Sequence, residues 1–202
     1  MKKIFVDFGG TIVRDKDAYV SLIGDYLTFY PDQWIVVNDF LDSAQREEFE
    51  DNYINRSVPY PVAMETITSF CGMSNEDKSQ VFVLFDNKPH LLSQEPQETV
   101  RDIAFWLDKN GCKVNGIYVE SDKLGIAKQC GVDIFVEDDP RIAITLANAG
   151  IKAILMLRSW NKKFSLDILD LITTKEKQEK IKENILFADD WQEAGCLIKS
   201  LL

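Results

Sequence analysis

The sequence predicts an α/β protein in which a parallel sheet is covered by helices on both faces. Short apolar segments rich in β-branched and aromatic residues alternate with segments whose apolar residues recur at helical spacing. That alternation is typical of parallel strands joined by right-handed helical crossovers. Polar residues follow several predicted strands, at the edge where such sheets bind ligands. The length of 202 residues, with 46% hydrophobic content, suits one domain with a small insertion.

The first element is a strand at Ile4–Val6, which ends at Asp7 and a pair of glycines. Proline residues then separate segments with helical spacing, because proline interrupts a helix. Three such segments are predicted before residue 75: Asp17 to about Tyr30, a segment that follows Asn38, and Val62–Phe70.

The second part of the chain repeats strands and helices. Ser79–Phe85 stays open between helix and strand, because a short apolar run does not reveal its own period. Lys175–Asn184, in which Glu and Lys alternate, is predicted as a solvated helix face. The other predicted strands are His90–Leu92, Val114–Val119, Asp133–Val136, Ile151–Leu157 and Ile185–Ala188. The other predicted helices are the segment after Pro96 that includes Leu107, Lys123–Cys130, Pro140–Ala149 and Trp191–Leu201.

The composition narrows the classes of partner. The chain has 23 Lys and Arg against 33 Asp and Glu, and the net charge of −10 disfavours nucleic acid and anionic lipid. No stretch approaches the roughly 18 apolar residues that cross a bilayer. The chain begins with Met1, two lysines and a strand, without a signal-peptide pattern, and its four cysteines show no C-x-x-C spacing. We therefore expect reduced thiols and a cytoplasmic location.

The end of the first strand carries the first candidate site. Asp7 opens a glycine-rich loop whose backbone N–H groups can face an anion. A carboxylate in that position can attack phosphorus and form an aspartyl phosphate. The alternative is a strand cap, in which Asp7 only accepts hydrogen bonds from the loop amides, and the residues alone leave it open.

A second acidic cluster follows the predicted strand Asp133–Val136. Glu137, Asp138 and Asp139 repel one another unless a cation neutralises them, and Mg²⁺ prefers such oxygen ligands. The alternative is that Asp138 or Asp139 caps the helix that begins at Pro140. Lys123, at the start of the preceding helix, can offset the charge of a phosphate, or it is an ordinary solvated lysine.

These motifs together resemble those of the haloacid dehalogenase superfamily. Asp7–Thr11, Ser93–Pro96, Lys123 and Glu137–Pro140 occur in the order and approximate spacing of its four motifs. The stretch from Ser93 to Asn161 is most similar to the small 5'-nucleotidase branch, which includes 5'(3')-deoxyribonucleotidases. The resemblance implies a doubly wound, Rossmann-like core of residues 1–13 and 76–202, with a helical cap at 14–75 inserted after the first strand.

The resemblance also implies a metal centre. Asp7 would be the nucleophile and a Mg²⁺ ligand, together with the carbonyl of Gly9 and the carboxylate of Asp138. Glu137 and Asp139 would lie in or near the shell outside these ligands. The implied cofactor is therefore Mg²⁺.

A phosphate site is implied at the same edge of the sheet. Gly9, Gly10 and Thr11 would form the phosphate loop, Ser93 would donate a hydrogen bond to the phosphoryl group, and Lys123 would balance its charge. The implied reaction is hydrolysis of a small phosphate monoester, with a nucleoside monophosphate favoured. A homodimer stays an open option.

One position departs from the pattern. Most phosphatases of the superfamily carry an acid two residues after the nucleophile, and this chain has Gly9 there. The side chain that would protonate the leaving oxygen is absent, so we expect weak turnover. The alternative is a catalytically inactive relative that binds a nucleotide, a phosphate or a protein partner.

Away from this site, Asp189 and Asp190 are predicted to cap the last helix, and His90 is predicted to have a structural role.

Overall fold

Six strands and six α-helices of eight or more residues lie in a computed structural model that describes residues 1–14, 53–55, 57–72, 79–86, 96–158, 161 and 175–202. The strands are β1 (Lys2–Asp7), β2 (Ser79–Phe85), β3 (Gly116–Val119), β4 (Ile134–Glu137), β5 (Lys152–Met156) and β6 (Ile185–Ala188). The helices are α1 (Ala63–Phe70), α2 (Pro96–Lys109), α3 (Lys123–Cys130), α4 (Pro140–Asn148), α5 (Lys175–Asn184) and α6 (Trp191–Leu201). Among these residues, no helix has the length and hydrophobicity that a membrane span requires.

The six strands form one sheet in the order β3-β2-β1-β4-β5-β6, and every neighbouring pair is parallel. The chain moves from β1 outward through β2 to β3, then crosses back to β4 and continues to β6. The direction of winding therefore reverses between β1 and β4. In such sheets a crevice opens at this reversal, outside the carboxyl ends of the strands.

Two apolar layers cover the sheet, as the period of two along its strands requires. Ile4 and Val6 face the layer that contains α1, α2 and α6, with Trp106 and Ile198 buried in it. Phe5 faces the opposite layer, which is formed by side chains of α3, α4 and α5. This arrangement confirms the predicted α/β class and its doubly wound parallel sheet. It also makes Ser79–Phe85 a strand, the question that its sequence left open.

The last part of the predicted cap packs against the sheet. Ala63 and Ile67 of α1 are buried in the same layer as α6. The Trp106 indole N–H donates to the carbonyl of Ser57 at 2.9 Å. The cap boundaries at 14 and 75 stay predictions. The predicted helix Asp17–Tyr30, most of the predicted helix after Asn38, the whole predicted strand His90–Leu92, and Ser93 lie outside the described residues.

Candidate functional site

The candidate site begins at the last residue of β1. Asp7 is only 4% exposed, at the end of a strand whose residues Phe5 and Val6 are fully buried. Val6 pairs with Val136 of β4, so Asp7 and Glu137 follow a matched pair on adjacent parallel strands. The two carboxylates therefore reach the same edge of the sheet, at the reversal of winding.

Three buried carboxylates meet at this edge. Asp7, Glu137 and Asp138 each offer one oxygen atom, and these atoms lie within 4.8 Å of one another. The Lys123 ammonium donates to Asp7 Oδ1 at 2.7 Å and to Glu137 Oε2 at 2.8 Å. Lys123 is 5% exposed at the first position of α3, where it was predicted as a charge partner. It is not a solvated lysine.

The electrostatics of this group follow from burial. Burial first, and then the charge of Glu137, raises the pKa of Asp7 well above its usual value, although Lys123 opposes both. Burial by itself would lower the pKa of Lys123, but Asp7 and Glu137 outweigh it and raise that pKa well above its usual value. At formal charges, three carboxylates and one ammonium leave two negative charges. That charge and an all-oxygen donor set fit a divalent hard cation such as Mg²⁺.

The loop Phe8–Ile12 joins β1 to this group. Gly10 has a φ of +65°, and a Cβ there would collide with the carboxylate of Asp138. Only glycine combines that backbone conformation with so close an approach. The Thr11 hydroxyl donates to Asp138 Oδ1 at 2.8 Å, which fixes the loop to the end of β4.

Gly9 has a different conformation from its neighbour. Its φ of −69° and ψ of 135° are ordinary for any L-residue. The backbone conformation therefore does not require glycine at this position. Gly9 differs from the usual acid only in lacking the side chain.

Glu137 and Asp139 have separate surroundings. The second carboxylate oxygen of Glu137 accepts hydrogen bonds from the backbone N–H groups of Asp138 and Asp139, at 3.1 and 3.0 Å. Asp139 accepts from the backbone N–H of Arg141 at 2.8 Å and pairs with its guanidinium at 2.6 Å. Burial would raise the pKa of Asp139, but the bonds from Arg141 prevail and lower it. Asp139 therefore caps α4, the alternative that the sequence left open, while its place beside a metal stays a prediction.

Asp86 is a residue that sequence reasoning missed. It directly follows β2, the neighbour of β1, and its charge contributes to the raised pKa of Asp7. The sequence of Ser79–Phe85 is ambiguous between helix and strand, so it did not indicate a strand end at Asp86. The β-branched residues Val81 and Val83 are the signal in the sequence that could have favoured a strand here.

A second group of missed residues lies behind the loop. The Asn161 amide donates to the carbonyls of Asp138 and Met156, at 2.7 and 2.8 Å. Arg158, two residues after the end of β5, donates to the carbonyls of Gly10 and Thr11. In the sequence both residues belong only to the stretch Ser93 to Asn161 that resembles the 5'-nucleotidase branch, and neither was given a role. At the last strand, Asp190 accepts from the backbone N–H of Glu193 at 2.8 Å, which confirms that it caps α6.

The comparisons with known proteins give structural relatives only. No model of a protein family and no curated protein matches the chain. The D,D-heptose 1,7-bisphosphate phosphatase of Burkholderia thailandensis matches with a TM-score of 0.56 and 15% identity over 99% of both chains. The same enzyme of B. bronchiseptica, complexed with magnesium and phosphate, gives 0.57 and 15% over all of both chains. L-2-haloacid dehalogenase of Xanthobacter autotrophicus gives 0.55 and 11%, also over all of both chains. At these identities the likeness shows that the chain shares the fold of haloacid dehalogenase-like hydrolases.

Proposed function

We propose that the chain is a Mg²⁺-dependent phosphohydrolase that acts on a small phosphate monoester. The observation that carries this proposal is the meeting of Asp7, Glu137, Asp138 and Lys123 at one edge of the sheet. A nucleoside monophosphate is the substrate that the sequence resemblance favours. A cytoplasmic location remains part of the proposal.

The carboxylates of Asp7 and Asp138 and the carbonyl of Gly9 would hold the cation. Bound Mg²⁺ would neutralise phosphate oxygens and the carboxylates around them. Thr11 holds the carboxylate of Asp138 in place through its hydroxyl, and Glu137 holds Lys123. The Lys123 ammonium is thereby kept beside Asp7, where it can attract the phosphoryl group and stabilise the charge that develops in transfer.

The proposed reaction has two steps. In the first, a carboxylate oxygen of Asp7 forms a bond to phosphorus, the bond from phosphorus to the leaving oxygen breaks, and that oxygen takes a proton from water. In the second, water attacks phosphorus and loses a proton, and the bond to Asp7 breaks. Inorganic phosphate leaves, and the Asp7 carboxylate is restored.

Gly9 limits the first step in this proposal. No side chain at that position can give a proton to the leaving oxygen, so solvent must supply it. Positioned acid and base groups typically contribute about 10²–10⁴-fold to such steps. We therefore expect turnover that is slow but measurable, with Ser93 as a further contact to the phosphoryl group.

The structural relatives support the proposal in one respect. One of them is a phosphatase whose structure contains magnesium and phosphate, and this chain shares its fold. The substrate does not follow from that likeness.

The test is release of inorganic phosphate from a panel of phosphate monoesters that includes nucleoside monophosphates. We expect release that needs Mg²⁺ and is lost in Asp7→Asn. Asp108→Asn, a change of the same chemistry at an exposed position of α2, is the control and should keep full activity. Release by the unchanged protein that does not exceed that of Asp7→Asn would refute the proposal.

Gly9 also favours a second candidate function, a catalytically inactive protein that binds phosphate or a nucleotide. Such a protein would bind Mg²⁺ and inorganic phosphate in calorimetry without releasing phosphate from any ester. Gly9→Asp distinguishes the two candidates, because the backbone at this position accepts an aspartate. Measurable turnover in the unchanged protein that rises in this variant favours the hydrolase, whereas no turnover in either form favours the binding protein.

A further inference from the structure

We propose that Arg158 is a positioning residue, which fixes the peptide groups of Gly10 and Thr11 and thereby the active-site loop. The inference rests on the proposed function, because it assigns Arg158 a part in that same site. It adds a residue that lies on neither of the two strands that carry the acids.

Arg158 donates hydrogen bonds to two successive carbonyls of the loop. Arg158 is 9% exposed, and its Nε donates to the carbonyl of Gly10 at 3.0 Å. Its Nη2 donates to the carbonyl of Thr11 at the same distance. A planar guanidinium that holds two successive carbonyls fixes the rotation of both peptide planes, which a single donor does not.

The peptide groups that Arg158 binds are connected to two groups of the proposed metal site. The Thr11 side chain donates to Asp138, and the peptide that precedes Gly10 carries the Gly9 carbonyl, a proposed cation ligand. A rotation of the peptide plane at Gly10 or Thr11 would therefore move both the Thr11 side chain and the Gly9 carbonyl. The described chain has no cis peptide bonds, so the N–H groups of Thr11 and Ile12 point away from the carbonyls that Arg158 binds.

Arg158 is itself held in place by neighbouring residues. Its backbone N–H donates to Asn161 Oδ1 at 2.7 Å, and its guanidinium carbon lies 3.6 Å from the centroid of the Tyr60 ring. The amide of Asn161 binds the carbonyl of Asp138. The segment after β5 thus contacts the loop through Arg158 and the acidic strand end through Asn161. Trp191 adds an indole donor to the carbonyl of Thr11 at 3.0 Å.

The kinetic test compares Arg158→Lys and Arg158→Met with Arg101→Lys and Arg101→Met, at an exposed position of α2. We expect kcat for phosphate release to fall about 10- to 100-fold, because displacing reacting groups by about 1 Å costs that much. KM should change far less, and Lys should retain more activity than Met. If Arg158→Met does not fold, the comparison of kcat between Arg158→Lys and Arg101→Lys still tests the inference. A kcat of the folded Arg158 variants within about twofold of the Arg101 controls would overturn the inference.

A second measurement does not depend on activity. Amide hydrogen exchange in a peptide that covers residues 8–14 should become about tenfold faster in Arg158→Lys than in Arg101→Lys, without a matching change in β5. If the unchanged protein releases no phosphate, the proposed hydrolase fails, but faster exchange in the loop still supports the positioning role. Unchanged exchange in the loop overturns that role whether or not the protein is an enzyme.

Discussion

Lys123→Met removes the ammonium that lies between Asp7 and Glu137 and leaves three buried carboxylates without it. The ammonium makes two hydrogen-bonded ion pairs, at 2.7 and 2.8 Å, with all three side chains at most 5% exposed. Removing one partner of a buried ion pair typically costs about 3–5 kcal/mol of unfolding free energy, because the remaining charge has lost its compensation. We expect a loss in this range in the absence of divalent cations.

The assay is equilibrium denaturation by urea, with and without Mg²⁺. Lys128→Met is the matched control, since Lys128 lies exposed on the same helix, and it should change stability by less than about 0.5 kcal/mol. Mg²⁺ should stabilise Lys123→Met more than the unchanged protein, because the variant has one more uncompensated negative charge. A loss equal to that of Lys128→Met would refute the electrostatic account of the site.

Two other predictions concern the loop and a buried thiol. Gly10→Ala should lower the unfolding free energy by clearly more than Gly111→Ala. Both glycines have a positive φ, and Gly111→Ala should cost about 1 kcal/mol, but only at Gly10 would the added Cβ collide with Asp138. Equal losses in urea denaturation would contradict that contact. Burial raises the pKa of Cys112 from 9.0 to about 11, so this thiol ionises first in the unfolded chain. The unfolding free energy should therefore fall by about 2 kcal/mol as the pH rises from 9 to 11. Cys112→Ala should remove that part of the pH dependence, and an unchanged profile would contradict it.

The parts of the site that were predictable have local signals. An acid directly after an apolar strand segment identified Asp7 and the group at Glu137, and the order of strands brought them together. The place of Lys123 at the start of a helix left open whether it balances charge or is solvated, and the family resemblance implied that it balances charge. The capping role of Asp190 follows from residues three positions apart. Each of these inferences needs only short stretches of sequence and the rule that parallel strands end at one edge.

The remaining contacts are not local. Arg158 binds loop carbonyls that lie 148 and 147 residues away in the chain, and no pattern around Arg158 indicates its partners. Asp86 was missed for a different reason, because the short apolar run Val81–Phe85 has no decisive period. Asp139 shows a third difficulty. The same residue type before a proline suits both a metal site and a helix cap, and only the hydrogen bond from the Arg141 N–H shows that Asp139 is a cap.

The most direct test of the account is a crystal structure of the protein with Mn²⁺, which binds similar oxygen ligands and gives an anomalous signal. We predict an anomalous peak that is bonded to a carboxylate oxygen of Asp7 and to one of Asp138, and that disappears in Asp138→Asn. A saturated crystal that shows no peak there, with Lys123 still bound to Asp7, would contradict the proposed metal centre.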